Sequence, residues 1–337
     1  MSISNFQHPS FLKTREIKDE KTFFCLQRGA VDCVNCGSDE HNVVHHFEQE
    51  YCNPDSYETY SGDVGVLLNL TLVKCKGCEL VYQSPRFSKE SLQRLYPNHP
   101  LPDRLIYKRL MRNHKFHFLI DLLREHATTS LGSKTAVDLG TRYGVLPELL
   151  VNEGYNALGI EMNLKAVKIA NQAGFSYVHQ GTVDKIQSVC ANAGIERVNL
   201  VTMVDLVEHL LDPRRDFELI SRMQQSGDQI FISTMDVASL GYKILGKNSY
   251  FIHAQHTCYF SAKTMGDLLD KFSYDIKFVH RISRVRNLKL LPRELNKLRK
   301  HNALRAQMNE ARSKERNWFA ACRPALFDYM NIFAVKR

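Results

Sequence analysis

Residues 134 to 236 alternate between short apolar runs and segments whose apolar residues recur at helical spacing. A β-α-β-α series of this kind predicts a doubly wound parallel sheet with helices on both faces. Ligands of such sheets bind at the carboxyl ends of the strands, where the strand order reverses. The predicted strands are TAVDLG, YNALGIE, FSYVHQG, RVNLVTMVD and QIFISTMD, and the predicted helices are VLPELLVNEG, LKAVKIANQAG and DPRRDFELISRMQQSG.

The loop DLGTRYG joins the first of these strands to its helix. A dinucleotide-binding loop requires G-x-G-x-x-G, but Gly140, Arg142 and Val145 hold those positions, and the Gly-Lys-Ser/Thr ending of a P-loop is absent. Glu161 ends the second strand, 21 residues after Gly140, and a carboxylate there can accept hydrogen bonds from ribose hydroxyls. The loop therefore predicts a nucleoside with a small zwitterionic group, which fits S-adenosylmethionine.

Four of the nine cysteines form two C-x2-C pairs, CVNCGS and CKGCEL, with 38 residues between them. We expect a cytoplasmic chain, in which such spacing indicates a metal site rather than disulfides. Cys33, Cys36, Cys75 and Cys78 are predicted to hold a structural Zn²⁺ with no open position for a substrate. His41, His45 and His46 lie between the pairs as alternative ligands, whereas Cys190 and Cys258 are expected to be packing residues.

Taken in order, these motifs resemble the class I S-adenosylmethionine-dependent methyltransferases, especially the subgroup with an N-terminal zinc ribbon that includes sugar methyltransferases. DLGTRYG corresponds to the family's D-x-G-x-G-x-G loop, GIE to its acidic strand end, DLVEHLLDP to the segment after its fourth strand, and HTCYFS to a later H-x-x-x-F-S segment. MNIFAVKR resembles the family's last, antiparallel strand. Arg142 departs from the pattern, and it either faces solvent or hydrogen-bonds the cofactor carboxylate or a neighbouring acid.

The resemblance implies a Rossmann-like, doubly wound seven-stranded sheet with a small N-terminal zinc ribbon. The predicted divisions are an N-terminal extension (1–30), the ribbon (31–87), a helical linker (88–133), and a methyltransferase domain (134–337) with a basic helical insertion at about 285–322. Within the linker we predict a short helix near Ser88 and a longer helix over roughly 103–127. Zn²⁺ and S-adenosylmethionine are the implied cofactors.

The resemblance also implies how S-adenosylmethionine is held. Asp138 and Gly140 would lie beside the methionine moiety, and Glu161 would bind the ribose. Thr141 and Gly144 of the same loop would also bind the cofactor. Asp184 would face the adenine amino group or simply cap a helix. The remaining residues would enclose the cofactor: Met162 and Val183 around the adenine, and Val204 and Asp205 on the other side.

Methyl transfer from a sulfonium requires an oriented acceptor and, for a hydroxyl or carbon acid, removal of its proton. His209 in DLVEHL lies just beyond the fourth strand and is the candidate base, with a structural role tied to Glu208 or a backbone carbonyl as the alternative. His256 and Tyr259, together with His253, form a second candidate rim or pack in the core.

The formal net charge is +9, and residues 292–316 supply +5 of it from eight Lys or Arg and three Glu. This predicted amphipathic helix is either solvated surface or a contact for an anionic substrate, a membrane surface or RNA. No apolar stretch is long enough for a transmembrane segment. We predict methyl transfer to a small molecule, a sugar or glycan precursor by resemblance. The alternatives are an RNA methyltransferase and a non-enzymatic cofactor-binding protein.

Overall fold

A computed structural model describes residues 28–47, 70–89, 114–126, 134–249, 251–252, 255–282 and 328–337. The predicted basic segment at 285–322, the rim residue His253 and most of the N-terminal extension lie outside these ranges. In the described part of the chain, no helix is long and apolar enough to cross a membrane.

Five short strands precede the central domain and make up what we call the N-terminal ribbon, residues 28–47 and 70–89. They are β1 (Arg28–Gly29), β2 (His41–Phe47), β3 (Leu70–Cys75), β4 (Val81–Gln83) and β5 (Arg86–Phe87). The predicted ribbon strand 64–75 is therefore described from Leu70 onward, and its earlier residues lie outside the described ranges. The predicted linker helix appears as α1 (His114–His126).

The central domain is built from seven strands and a set of helices that pack on both faces of the sheet. The strands are β6 (Lys134–Leu139), β7 (Tyr155–Glu161), β8 (Val178–Gln180), β9 (Leu200–Val204), β10 (Gln229–Met235), β12 (Tyr274–Ile282) and β13 (Tyr329–Lys336). The helices are α2 (Val145–Asn152), α3 (Leu164–Gln172), α4 (Ile186–Asn192), α5 (Pro213–Arg222), α6 (Leu240–Leu245) and α7 (Ala262–Asp270). A further two-residue strand, β11 (Cys258–Tyr259), lies between α6 and α7.

The seven strands form one sheet in the order β12-β13-β10-β9-β6-β7-β8. Parallel pairing runs from β10 through β9, β6 and β7 to β8. The parallel arrangement predicted from the β-α alternation over residues 134–236 is therefore confirmed, and β13, outside that series, runs antiparallel to both β10 and β12. The antiparallel last strand implied by MNIFAVKR is confirmed.

Local sequence explains where the helices begin. Asn163 caps α3 by accepting from the backbone N–H groups of Lys165 and Ala166, and Asp212 caps α5 ahead of a proline at its first position. The predicted α5 extended to Gly227, but the helix ends at Arg222. The short helices α4 and α6 were not predicted.

Side chains alternate between the two faces of the sheet and form two cores. One core packs α1 residues such as Leu119 and Leu123 against Ala136 of β6. The other packs Val137 and Leu139 against helices α4, α5 and α7. This second core also includes Cys33, Val73, Cys75, Leu80 and Tyr82, so the N-terminal ribbon shares its hydrophobic core with the central domain.

The ribbon and the domain also share a sheet. Its order is β11-β4-β3-β2, with antiparallel pairs throughout. Cys258 pairs with Tyr82 and Tyr259 pairs with Val81, so β11 completes a sheet that begins in the ribbon. The pairing places the ribbon next to the segment that carries His256 and Tyr259.

Gly144 and Gly154 offer a matched test of the turn that enters α2. Both have a positive φ, 76° and 84°. A Cβ on Gly144 would lie 2.6 Å from Cγ2 of Val178, whereas one on Gly154 would meet nothing within 4 Å. Gly154→Ala should lose ~1–2 kcal/mol of unfolding free energy through backbone strain, and Gly144→Ala should lose ~1–3 kcal/mol more through overpacking. Denaturant unfolding measures both, and equal losses would contradict the steric account.

Candidate functional site

The loop after β6 is anchored on the end of the neighbouring strand. The backbone N–H groups of Gly140 and Thr141 donate to the carbonyl of Ile160 at 2.8 and 3.2 Å. Gly140 has a φ of 73°, and a Cβ there would lie 3.0 Å from Cδ1 of Leu206. The loop after β6 and the loop after β9 are therefore in contact at the carboxyl edge of the sheet.

Arg142 stands where the family loop has its middle glycine, and the structure shows how the chain accommodates it. Its φ is 56°, so the arginine itself adopts the left-handed conformation. The side chain is exposed, and its Cζ lies 5.4 Å from the centre of the Tyr143 ring. Its backbone N–H donates to Oε2 of Glu161 at 2.8 Å. The backbone of Arg142 thus serves the site while its side chain lies on the surface.

Glu161 is held at both of its carboxylate oxygens. Oε2 accepts the bond from Arg142, and Oε1 accepts from the backbone N–H of Asn163 at 2.7 Å. Burial raises the pKa of Glu161, although these backbone hydrogen bonds oppose the rise. The carboxylate is fixed in orientation at the end of β7, with further lone pairs for a ligand.

The other predicted cofactor residues collect at the same edge, because the carboxyl ends of parallel strands meet there. Asp138 is buried and accepts from Thr202 Oγ1 at 2.6 Å. Thr141 Oγ1 is buried and has no hydrogen-bond partner among the described residues. The remaining members lie at the ends of the neighbouring strands or just after them: Glu161 and Met162 at the end of β7, Val183 (buried) and Asp184 (exposed) in the turn after β8, and Val204 and Asp205 (both partly buried) at the end of β9.

Gly159 is a member of this site that the sequence analysis missed. A Cβ at Gly159 would lie 2.6 Å from Cγ2 of Thr141. β7 therefore needs glycine at this position so that the loop after β6 can lie across it. We call this loop, residues 140–144, the cofactor loop after its predicted role.

Two histidines and a glutamate converge beyond the end of β9. One ligand atom each of Glu208, His209 and His256 lie within 4.8 Å of one another. The ring centroids of His209 and His256 are 4.7 Å apart, edge to face. Glu208 is buried, and its Oε2 accepts from Thr234 Oγ1 at 2.9 Å. We call these three residues the histidine cluster. The sequence indicated Glu208 only as a possible structural partner of His209.

The hydrogen bonds of the two rings indicate their tautomers. Nδ1 of His209 lies 3.0 Å from the carbonyl of Gln255, and Nδ1 of His256 lies 2.6 Å from the carbonyl of Phe251. A carbonyl only accepts, so Nδ1 of each ring carries the proton and Nε2 of each neutral ring carries the lone pair. His209 is partly exposed whereas His256 is buried, so His209 is the member that a solvent-borne molecule can reach.

Tyr259 lies behind His256. It is 1% exposed and packs with Leu70, Val81 and Met235. Its ring meets that of His256 edge to face at 6.0 Å. These contacts give Tyr259 a packing position, and its catalytic role stays a prediction.

The four predicted metal ligands come together in the N-terminal ribbon. The Sγ atoms of Cys33, Cys36, Cys75 and Cys78 lie within 4.8 Å of one another, an arrangement that can hold a metal ion. A hydrogen bond between the thiols of Cys33 and Cys78 lowers the pKa of Cys78 to about 5. The same bond raises the pKa of Cys33. We call these residues the cysteine cluster.

The histidines proposed as alternative ligands have other partners. His45 Nε2 lies 3.0 Å from Tyr242 Oη, and His46 Nδ1 lies 2.8 Å from Thr71 Oγ1. His41 meets the ring of Tyr82 edge to face. Cys190 and Cys258 are fully buried, as packing residues should be.

The two C-x2-C turns have the same backbone despite their different sequences. Cys33 N–H donates to Ser38 and Gly37 N–H to Cys33, and Cys75 N–H donates to Leu80 and Glu79 N–H to Cys75, at 2.7–3.1 Å. Gly37 has a φ of 81° and Glu79 a φ of 65°. The side chain of Glu79 is half-exposed and pairs with Lys74 and Lys263.

Comparison with known proteins agrees with this geometry. A family model described as a methyltransferase domain matches residues 111–277. Among curated relatives, the ubiquinone biosynthesis O-methyltransferase of Erwinia tasmaniensis is 27% identical over 118 residues, which are 35% of this chain and 48% of that protein. The one from Nitrosomonas europaea is 29% identical over 119 residues, 34% of this chain and 51% of that protein. The chain spans about half the length of these curated relatives.

The chain is also similar to solved structures, at low sequence identity. A methyltransferase from Archaeoglobus fulgidus is 19% identical, with a TM-score of 0.43 over 70% of this chain and 100% of that chain. Magnesium protoporphyrin IX methyltransferase from Synechocystis, solved with S-adenosylhomocysteine, is 12% identical, with a TM-score of 0.44 over 73% of this chain and 93% of that chain. By its family match, residues 111–277 form a class I S-adenosylmethionine-dependent methyltransferase domain, which confirms the enzyme class predicted from the sequence.

Proposed function

We propose that this chain transfers the methyl group of S-adenosylmethionine to a small-molecule acceptor that gives up a proton, with a sugar or glycan precursor as the favoured class. The observation that carries the proposal is the histidine cluster, which lies beyond β9 while the cofactor loop follows the adjacent strand β6. The names of the curated relatives, O-methyltransferases, support a hydroxyl as the acceptor. The sugar class rests on the resemblance of CVNCGS and CKGCELVYQSPR to the ribbon of sugar methyltransferases.

The residues at the carboxyl edge fit S-adenosylmethionine. The carboxylate of Glu161 suits the ribose hydroxyls, and the buried hydroxyl of Thr141 has no partner among the described residues. Asp138 is buried beside the loop whose glycines, Gly140 and Gly144, take positive φ. When bound, the cofactor would supply an electrophilic methyl group on a positively charged sulfur.

The histidine cluster then performs the proton chemistry. Nε2 of His209 accepts the proton of the acceptor group, because its Nδ1 is already committed to Gln255. The resulting imidazolium lies close to the carboxylate of Glu208, and an opposite charge stabilises it. His256 packs edge-on against His209 and limits its ring orientation. Orientation of the acceptor beside the cofactor supplies the rest of the rate.

We also propose that the cysteine cluster binds one structural Zn²⁺. Four sulfurs within 4.8 Å of one another match a tetrahedral thiolate site. Backbone N–H groups near Cys36 and Leu80 point toward the sulfurs and stabilise the thiolate form. All four positions would be filled by sulfur, so the metal would organise the ribbon and take no part in methyl transfer.

Incubation of cell extract with the protein and methyl-labelled S-adenosylmethionine tests the proposal. Label in a small-molecule product, identified by mass, would support it. Label in the RNA fraction would overturn the choice of acceptor in favour of an RNA methyltransferase. Tight cofactor binding with no labelled product in any fraction would indicate a non-enzymatic binding protein.

Glu161→Ala should weaken S-adenosylmethionine by ~1.5–3 kcal/mol, because it removes charge-assisted hydrogen bonds to the ribose. Glu161→Gln keeps the shape and one carbonyl oxygen and should lose less. Since burial raises the pKa of Glu161, affinity should also fall as the pH falls through that pKa, where the carboxyl becomes protonated. Calorimetry measures these effects, and the exposed Glu218→Ala on α5 is the control. Unchanged affinity in Glu161→Ala contradicts the assignment.

His209→Ala should keep cofactor affinity while turnover falls by roughly 10²- to 10⁴-fold, because the base is lost. The limb of the pH profile that reports the general base should also disappear. His280→Ala, on an exposed part of β12, is the matched control. A purely structural His209 predicts instead a lower melting temperature with normal turnover per folded molecule, and that outcome would remove it from the mechanism.

The wild-type protein should contain about one equivalent of zinc, and Cys75→Ser should lose it together with the fold of the ribbon. Cys190→Ser changes an equally buried cysteine outside the cluster and should keep the metal. Elemental analysis measures the zinc, and near-ultraviolet circular dichroism reports the fold. A wild type that folds fully without metal would refute the prediction.

A further inference from the structure

Gln83, at the end of β4, joins the ribbon to the histidine cluster. Gln83 is 2% exposed. Its backbone N–H donates to the carbonyl of Thr257 at 2.9 Å, and its Nε2 donates to the carbonyl of His256 at 2.5 Å. We call residues 255–257 the histidine segment. One ribbon residue therefore binds two successive carbonyls of this segment.

The segment that Gln83 holds is bonded on its other side to the loop of His209. The carbonyl of Gln255 accepts from His209 Nδ1 at 3.0 Å. The backbone N–H of Thr257 donates to the carbonyl of Glu208 at 2.8 Å, and its Oγ1 donates to the carbonyl of Leu210 at 2.6 Å. Residues 255–257 thus lie between Gln83 and the 208–210 loop, with contacts to all three members of the histidine cluster.

We propose that Gln83 is a positioning residue for methyl transfer, an inference that rests on the proposed function of the same site. By fixing the carbonyls of His256 and Thr257, Gln83 sets the spacing of His256 and His209 relative to Glu208. Its amide donates to the backbone of the histidine segment, so its effect reaches the acceptor through other residues. The ribbon would then be part of the proton-transfer machinery.

The cofactor loop has separate anchors. Gly140 and Thr141 donate to Ile160, and Arg142 donates to Glu161, all within the central domain. A change at Gln83 should consequently leave S-adenosylmethionine binding intact. This separation gives the proposal a signature that general unfolding or a lost cofactor site does not share.

The ribbon side of Gln83 explains how its position is set. β4 begins three residues after Cys78, and it pairs with β3, which ends at Cys75. Tyr82, beside Gln83, is fully buried in the core that also contains Cys33 and Cys75. The backbone of β4, and with it the position of Gln83, is therefore set in part by the packing that surrounds the cysteine cluster.

The test compares Gln83→Leu with Lys271→Met in the full-length protein. Gln83→Leu removes the side-chain donor and keeps the side-chain size and the backbone bond to Thr257. Lys271 Nζ donates to the Asn35 carbonyl and to Asn35 Oδ1, so Lys271→Met removes a ribbon contact that does not touch the histidines. Ring ¹H–¹³C spectra report the histidines, with signals assigned by His209→Gln and His256→Gln.

In Gln83→Leu we expect the ring signals of His209 and His256 to shift or broaden while the His280 signal stays in place. Turnover, measured as label transferred from methyl-labelled S-adenosylmethionine to the small-molecule product, should fall by about 10- to 100-fold through kcat, since a small misplacement of catalytic groups is costly. Affinity for S-adenosylmethionine should stay within about twofold, because a wrong orientation of the histidines slows the chemical step and does not weaken cofactor binding. Lys271→Met should resemble the wild type in all three measurements.

Unchanged His209 and His256 signals in Gln83→Leu would overturn the proposal, as would an equal loss of turnover in Lys271→Met. If Gln83→Leu does not fold, Gln83→Asn retains an amide shortened by one methylene and should give the same shift of the two ring signals. If the wild type transfers no methyl group, the proposed function fails, yet the ring signals still decide whether Gln83 positions the histidines.

Discussion

The reversal of strand order between β6 and β9 is the constraint on which the rest of the site depends. The two strands are parallel neighbours, but the chain continues from β6 toward β7 and from β9 toward β10. A reversal of strand order of this kind gives such sheets their ligand crevice at the carboxyl edge. A Cβ on Gly140 would lie 3.0 Å from Cδ1 of Leu206, so the loop after β6 and the loop after β9 approach each other closely at this edge.

The buried centre of the sheet could be predicted from the sequence, and its margins could not. β7 (Tyr155–Glu161) has the predicted limits, because a strand paired on both sides is mostly buried and its central residues, Ala157 to Ile160, form a continuous run without a polar side chain. β8, at the sheet edge, begins only at Val178, where its pairing with Gly159 begins. The helix α4 was missed because only two of its seven residues, Ile186 and Cys190, are buried, too few to show a period.

Motif residues that are close in sequence were also predictable, whereas the histidine cluster was not. His209 and His256 are 47 positions apart, and only the pairing of residues 255–257 with the 208–210 loop brings them into contact. The expectation that positive φ requires glycine also fails at two positions. Arg142 and Glu79 both take positive φ, at 56° and 65°, where glycine is usual. The backbone N–H of Arg142 donates to Glu161 and that of Glu79 donates to the carbonyl of Cys75, and both side chains lie outward. A non-glycine residue at these positions therefore costs only ~1–2 kcal/mol of backbone strain.

The shared sheet explains why the ribbon and the domain cannot be treated as independent modules. A two-residue strand such as β11 has too few hydrogen bonds to persist alone, and β4 without β11 would present an open strand edge. The pairing of β4 with β11 supplies hydrogen bonds to β11 and covers the edge of β4. The side chain of Gln83 adds one more bond beyond the paired residues, to the carbonyl of His256. Removing the ribbon would therefore uncover the backbone of His256 and Thr257, beside the proposed acceptor position. The loop proposed to bind the cofactor, anchored on β7, would keep its own hydrogen bonds. The two halves of the proposed site thus owe their geometry to different parts of the chain, the cofactor half to the central sheet and the acceptor half to the contact between that sheet and the ribbon.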